Sequence, residues 1–236
     1  VYGNTATVNG GAITGNAYGG YSVQGDAYDN NVFVGGAASV GGTLYGGAAL
    51  GGDGDISGNT VVMESGTVGG GIAAGWSEGN GDVYNNSAVI EGGSVGTGVY
   101  GGLINNAASA GNVYGNTVTV LGGTLGSDTY IDTVSGGSTA GSGDVYDNTA
   151  IVSGGDIKGQ VRGGYSASGD VYGNSVFVDG AAKVDNNVYG GYADAGAAWG
   201  NSVLVDGTAS VGDSVYGGAS LGNGAVYGNN VTMRAG

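Results

Sequence analysis

The residue types in this chain that could do chemistry recur instead of converging. Asparagine stands at the fourth place of a motif that returns nine times, as Asn4, Asn30, Asn59, Asn86, Asn116, Asn148, Asn174, Asn201 and Asn229. A side-chain amide both donates and accepts, so identical residues stacked one strand spacing apart form a continuous hydrogen-bonded ladder. Asparagine also tolerates the left-handed turn conformation. The column therefore predicts a structural ladder at a corner of the chain.

Two places earlier in the motif stands a ring: Tyr2, Tyr28, Tyr84, Tyr114, Tyr146, Tyr172, Trp199 and Tyr227, with Ser57 the exception. A second aromatic place precedes a glycine pair at Tyr18, Tyr45, Tyr100, Tyr189 and Tyr216, and is taken by Ala73, Ser135 and Arg162 in three units. An exposed row of rings offers a surface for stacking on sugars or for adhesion. The same rings could instead do no more than pack rung on rung. Glycine after the second ring suits a positive φ or a close chain approach.

Aspartate or asparagine precedes the motif at Asp26, Asp55, Asp82, Asn112, Asp144 and Asp170. Such a row could hold calcium or cap turns. Calcium wants six to eight oxygens, and the GGxGxDxUx calcium repeat is missing, which favours capping and an expectation of no cofactor.

Catalysis is not expected. The chain has no histidine and no cysteine, which removes the commonest general base and thiolate chemistry. The 19 acidic residues are distributed by repeat, and the four basic ones, Lys158, Arg162, Lys183 and Arg234, form no evident constellation. A net charge of −15 argues against nucleic acid and anionic membrane surfaces as partners. No stretch approaches the roughly 18 apolar residues of a membrane span, and no signal segment opens the chain.

The elements that must position these columns are legible from the repeat. Units begin at 1, 27, 56, 83, 113, 145, 171, 198 and 226, with the ninth cut short. Their length lies within the range where self-similarity means a solenoid, propeller or array. The 59 glycines suggest a flexible linker at first glance, but apolar residues return at the same phase of every unit, which a disordered chain does not do.

The first place of the motif is always apolar, as in Val83, Val113, Val145 and Val171, and predicts an inward side chain that leaves the next ring outside. After the asparagine comes a period-two alternation, as in Ser175-Val176-Phe177-Val178, the mark of a half-buried strand. A glycine corner and two further apolar columns follow. One unit buries too little to fold alone, so equivalent strands must pair from coil to coil about 4.8 Å apart.

A propeller blade needs about 40 residues and a sandwich needs no repeat. The expectation is therefore an all-β, parallel β-solenoid with three short strands per coil, coiling right-handed. It is read as one domain over 1–236, a segment of a longer chain.

Units of the form VYGN-[ST]-V-x-V-x-GG-x-V-x-x-x-VYGG-x-S-x-x-G, seen in Val113 to Gly123 and Val145 to Gly169, resemble the Gly-, Asn- and Tyr-rich repeats in passenger regions of bacterial autotransporter-type surface proteins. The likeness covers essentially the whole chain. It implies a β-helical passenger displayed extracellularly at the bacterial cell surface, its C-terminal barrel in the outer membrane. No barrel is present in this sequence.

The function expected on these grounds is a non-enzymatic scaffold, a rigid stalk or adhesin whose partners are host or neighbouring-cell surface molecules or glycans. The alternative is an extracellular filament subunit that self-associates through its solenoid ends, since unpaired strand edges recruit another copy. A carbohydrate-active β-helix enzyme and an ice-binding solenoid fit less well: the first lacks a singular carboxylate cluster, and the second lacks paired threonine rows, because the seventh place holds Phe33, Ile151, Phe177 and Leu204.

Overall fold

The computed structural model describes residues 1–127 and 133–234. Most of the fifth-unit insert, Ser127 to Thr133, lies outside the described residues. What is described is all-β: a parallel β-solenoid in which each coil lies on the next.

In the first coil a single Tyr2–Tyr28 bridge stands in place of the first strand; each coil from the second to the eighth carries four strands, one more than the sequence predicts. In the coil that starts at Val171 they are Val171–Tyr172, Ser175–Val178, Lys183–Val184 and Val188–Ala193. Two of these are only two residues long, too short for alternation to show in the sequence. Pairing with neighbouring coils alone makes them strands. Equivalent strands form four sheets, which we call first to fourth in the order just given; the second has nine strands and the others eight.

Register follows the columns of the repeat. Val145 pairs with Val171 and Val171 with Ala198 in the first sheet. In the second, Val118, Ala150, Val176 and Val203 occupy successive rungs. Every second-sheet strand alternates one outward and one inward side chain. The inward ones, such as Val118 and Val120, are fully buried.

The corner between first and second sheets turns at the third place of the motif, not at the asparagine. That place has positive φ in all nine units, from Gly3 at 66° through Asp29 at 55°, Asn85 at 54° and Asp147 at 55° to Gly228 at 63°. Glycine has no Cβ to clash there, and Asp and Asn are the other residues that enter this region at small cost. Taking the left-handed turn one residue early leaves the asparagine free to point inward.

The interior is divided. A large apolar cluster, including Val40, Leu44, Ile72, Val118, Val120 and Val188, fills the space bounded by the second, third and fourth sheets. A smaller one joins first-sheet residues Ile56, Val83, Val113, Val145 and Val171 to Ala49, Ile104 and Ala193 at the ends of fourth-sheet strands. The sequence suggests one continuous core. The asparagine column and the glycine pairs separate it into two.

Candidate functional site: amide ladder and stacked rings

The asparagines predicted to form a ladder lie one above another inside the rod. Nδ2 of Asn4 donates to Oδ1 of Asn30 at 2.8 Å, and the pattern continues through Asn59, Asn86, Asn116, Asn148, Asn174 and Asn201 to Asn229 at 2.8 to 3.0 Å. Each Oδ1 from Asn30 to Asn229 accepts twice. That of Asn148 takes the Asn116 backbone N–H at 3.0 Å and the Asn116 amide at 2.9 Å. The second amide hydrogen of Asn116 is held by the Val83 and Tyr114 carbonyls, at 2.9 and 3.0 Å. From Asn30 to Asn201 these side chains are at most 1% exposed, and among the described residues no buried side-chain nitrogen or oxygen lacks a partner.

The second glycine of each fourth-sheet pair faces this ladder. A Cβ on Gly102, Gly137 or Gly164 would lie 2.6 to 2.7 Å from the amide of Asn116, Asn148 or Asn174. Close approach, not positive φ, is the reason for glycine there. The first place of the pair is less strict, since Ala74 occupies it in the third coil, fully buried.

The acidic row ahead of the first sheet caps the next coil. Oδ1 of Asp26 accepts the backbone N–H of Asp55 at 3.0 Å, Asp55 that of Asp82 at 2.9 Å, and Asp82 that of Asn112 at 2.8 Å. The relay continues through Asp144 and Asp170 to the N–H of Ala197. Among the described residues no three His, Cys, Asp or Glu side chains form a group able to hold a metal ion.

The predicted rings of the first sheet stack face to face on the outer surface. Tyr84, Tyr114, Tyr146 and Tyr172 follow at centroid spacings of 4.9 to 5.0 Å with planes within 3°. Trp199 and Tyr227 extend the row at 4.4 and 5.9 Å. Ser57 divides this run from Tyr2 and Tyr28, themselves stacked at 5.0 Å. The packing removes water from the interior hydroxyls: burial first, then the Asp82 carboxylate, pushes Tyr114 up to about 12, and burial raises Tyr146 and Tyr172 as well.

The fourth sheet carries two ring rows, of which the repeat predicts one. Tyr18, Tyr45, Tyr100, Tyr189 and Tyr216 are those it names; Tyr21, Trp76, Tyr165 and Tyr192 are the others. Pairing skips the residue after the ring place in each strand, a glycine in all but the third coil, as at Tyr18–Tyr45 and Gly20–Gly47. This irregularity lets residues three apart share the outer side. The Tyr189 and Tyr192 rings meet at 4.9 Å and those of Tyr18 and Tyr21 at 5.2 Å. The sequence signal for the second row is the spacing of three across a glycine pair, where strict alternation would put the second ring inside.

Where Ala73 replaces tyrosine, one ring is missing from the row between Tyr45 and Tyr100, which occupy the adjoining rungs. The vacated space is a slot of about 190 Å³ lined by Tyr45, Trp76, Tyr100 and Leu103, with Thr43, Thr97 and Asn105 on its rim. Trp76 leans over it with its ring 5.2 Å from that of Tyr45.

Three coils along, Arg162 fills the tyrosine place. Its guanidinium lies 4.9 Å from the ring centres of both Tyr165 and Tyr192 and donates to Gln160 Oε1 through Nε and Nη2, at 3.1 and 2.6 Å. Burial lowers the pKa of Arg162. The Tyr165 hydroxyl, raised to about 12 by burial and by Asp194, donates to that carboxylate at 2.7 Å.

The basic residues do form one constellation that their sequence spacing hides. On the outer side of the third sheet Lys158 bridges Asp156 and Asp185 at 2.8 and 3.3 Å, while Lys183 bridges the same pair at 3.4 and 2.5 Å. Asp156 and Lys183 are register partners on adjacent rungs, so 27 residues of sequence collapse to one strand spacing. Arg234 lies 3.8 Å from Asp206.

No family model, curated protein or solved structure matches the chain.

Proposed function

We propose that the protein is a non-enzymatic scaffold displayed at the bacterial cell surface, a stiff rod whose aromatic rows make adhesive contact with glycans of a neighbouring cell or host. The observation that carries this reading is the run of six rings from Tyr84 to Tyr227, held on the outer surface in register. Stacked rings present apolar edges and hydroxyls at a fixed pitch, and sugars offer the matching alternation of C–H faces and hydroxyls. The Ala73 slot adds a recess with an indole and a polar rim, of a kind suited to a single pyranose. Resemblance to autotransporter passenger repeats supports the extracellular setting.

The test is adhesion of protein-coated beads to bacterial and epithelial cells and to immobilised polysaccharides, with thermal unfolding followed in parallel. Replacing Tyr114 and Tyr172 by serine, or Trp76 by alanine, is expected to reduce retention several-fold. Retention that stays intact while the unfolding temperature falls would assign the rings to packing alone and defeat the reading.

A further inference from the structure

The outer face of the second sheet is broad and uncharged in an otherwise acidic molecule. Two outward places in each of nine strands hold no charged residue, although the chain carries 19 acidic side chains. One row is bulky and apolar in six coils: Phe33, Val62, Val89, Ile151, Phe177 and Leu204. The neighbouring row, two residues earlier, is Thr or Ser in seven coils, as in Thr60, Ser87 and Thr117. The only two phenylalanines of the chain are both here, 41% and 38% exposed, while the core is built from aliphatic residues.

We propose that this face is a self-association surface, on which a second copy of the chain packs side by side with the two rods parallel and coil opposite coil. The shape decides the orientation. A two-fold axis parallel to the rods sets the bulky row of each copy against the small row of the other, so ridge enters trough twice in an isologous contact. A two-fold axis along the strands would instead oppose bulky row to bulky row.

Charge at the rim agrees. Residues just after each strand include Glu64, Glu91, Asp179 and Asp206, and the corner residues just before include Asp29 and Asp147. In the parallel arrangement Glu64 faces Gly58, Glu91 faces Asn85, Asp179 faces Gly173 and Asp206 faces Gly200, while Asp29 and Asp147 face Gly35 and Ser153. Acid never meets acid. The antiparallel alternative brings Glu64 against Asp179.

Nine rungs at about 4.8 Å and strands of four residues at about 3.3 Å give roughly 500 Å² per copy. The total of roughly 1,000 Å² is at the lower bound of specific interfaces, so the dimer is expected to be reversible.

Sedimentation velocity over a concentration series tests this. The chain is expected to pass from monomer to dimer with no larger species, and the Phe33→Lys, Phe177→Lys double variant to remain monomeric at concentrations at least tenfold higher, with an unchanged circular dichroism spectrum. A spin label on Thr7→Cys, the chain having no other thiol, reads orientation at the end of the bulky row and leaves its six apolar residues in place. Parallel rods place the two labels within about 2 nm, since both are in the first coil, whereas antiparallel rods separate them by about eight rungs of 4.8 Å. A wild-type chain that stays monomeric, a dimer or open-ended polymer that survives the lysine substitutions, or labels about 4 nm apart would each overturn the proposal.

Discussion

A Cβ placed on Gly102 would lie 2.6 Å from the side-chain nitrogen of Asn116. The second glycine of each fourth-sheet pair and the amide ladder beside the second sheet are thus two halves of one joint, which closes the rod across its middle and divides the apolar interior. Neither half has room for a substitute. A larger residue at the glycine collides with the ladder, and an apolar residue at the asparagine takes the acceptor from the backbone N–H and side-chain amide of the asparagine in the preceding coil.

Asn116→Ala should therefore cost far more than its small volume suggests. It removes the acceptor of the Asn86 amide and N–H and the donor to the Val83 carbonyl, each a buried group whose isolation costs about 1 to 3 kcal/mol. A loss of about 3 kcal/mol or more is expected in urea unfolding. Asn4→Ala, at an exposed position, should stay below about 1 kcal/mol; equal effects at the two positions would remove the ladder from the account of stability.

Gly102→Ala should destabilise by about 1 to 3 kcal/mol, the usual range for forcing a methyl into a filled space. Gly25→Ala is the control: its nearest neighbour would be the Ser22 hydroxyl at 3.6 Å, and the change should lie within about 0.5 kcal/mol of zero. Differential scanning calorimetry on both variants makes the comparison.

The ion network of the third sheet gives an acid limb with a defined sign. Hydrogen bonding from Lys183, then Lys158, holds Asp185 below its ordinary value, so its contribution is present above the unfolded carboxylate value of about 4 and is lost as pH falls through the lower folded one. Lys183→Met should raise the Asp185 titration, read by NMR from its carboxyl carbon, part of the way to the ordinary range, with Lys158 still in place. An unshifted titration in that variant would disprove the coupling.

Alkaline pH acts on the rings. Burial raises Tyr114 and Tyr165 to about 12, so the folded state keeps protons that the unfolded chain gives up near 10, and stability falls as pH rises from about 10 through 12. Spectrophotometric titration should show a fraction of the tyrosines ionising last in the native protein. In 8 M urea, as about the random-coil value requires, all should titrate together near 10. Simultaneous ionisation in the native state would contradict the stacked, desolvated row.

The sequence by itself determined the solenoid, its coil boundaries, the inward and outward columns of the second sheet, and the identity of the ladder and first ring row. It could do so because each of these is a periodic constraint. A residue that stacks on its own equivalent is selected nine times over, and the repetition is visible without coordinates.

Only the tertiary structure decided what depends on contacts between different columns. That Gly102 meets Asn116, that the interior forms two clusters, and that Lys158 and Lys183 share Asp156 and Asp185 are relations across or around the coil, with no period of their own. The left-handed residue one place before Asn116 and the outward turn of Tyr192 three residues after Tyr189 are likewise invisible in a column count. Each follows from local backbone geometry, which departs from strict alternation where glycine or a short polar side chain lets the chain bend.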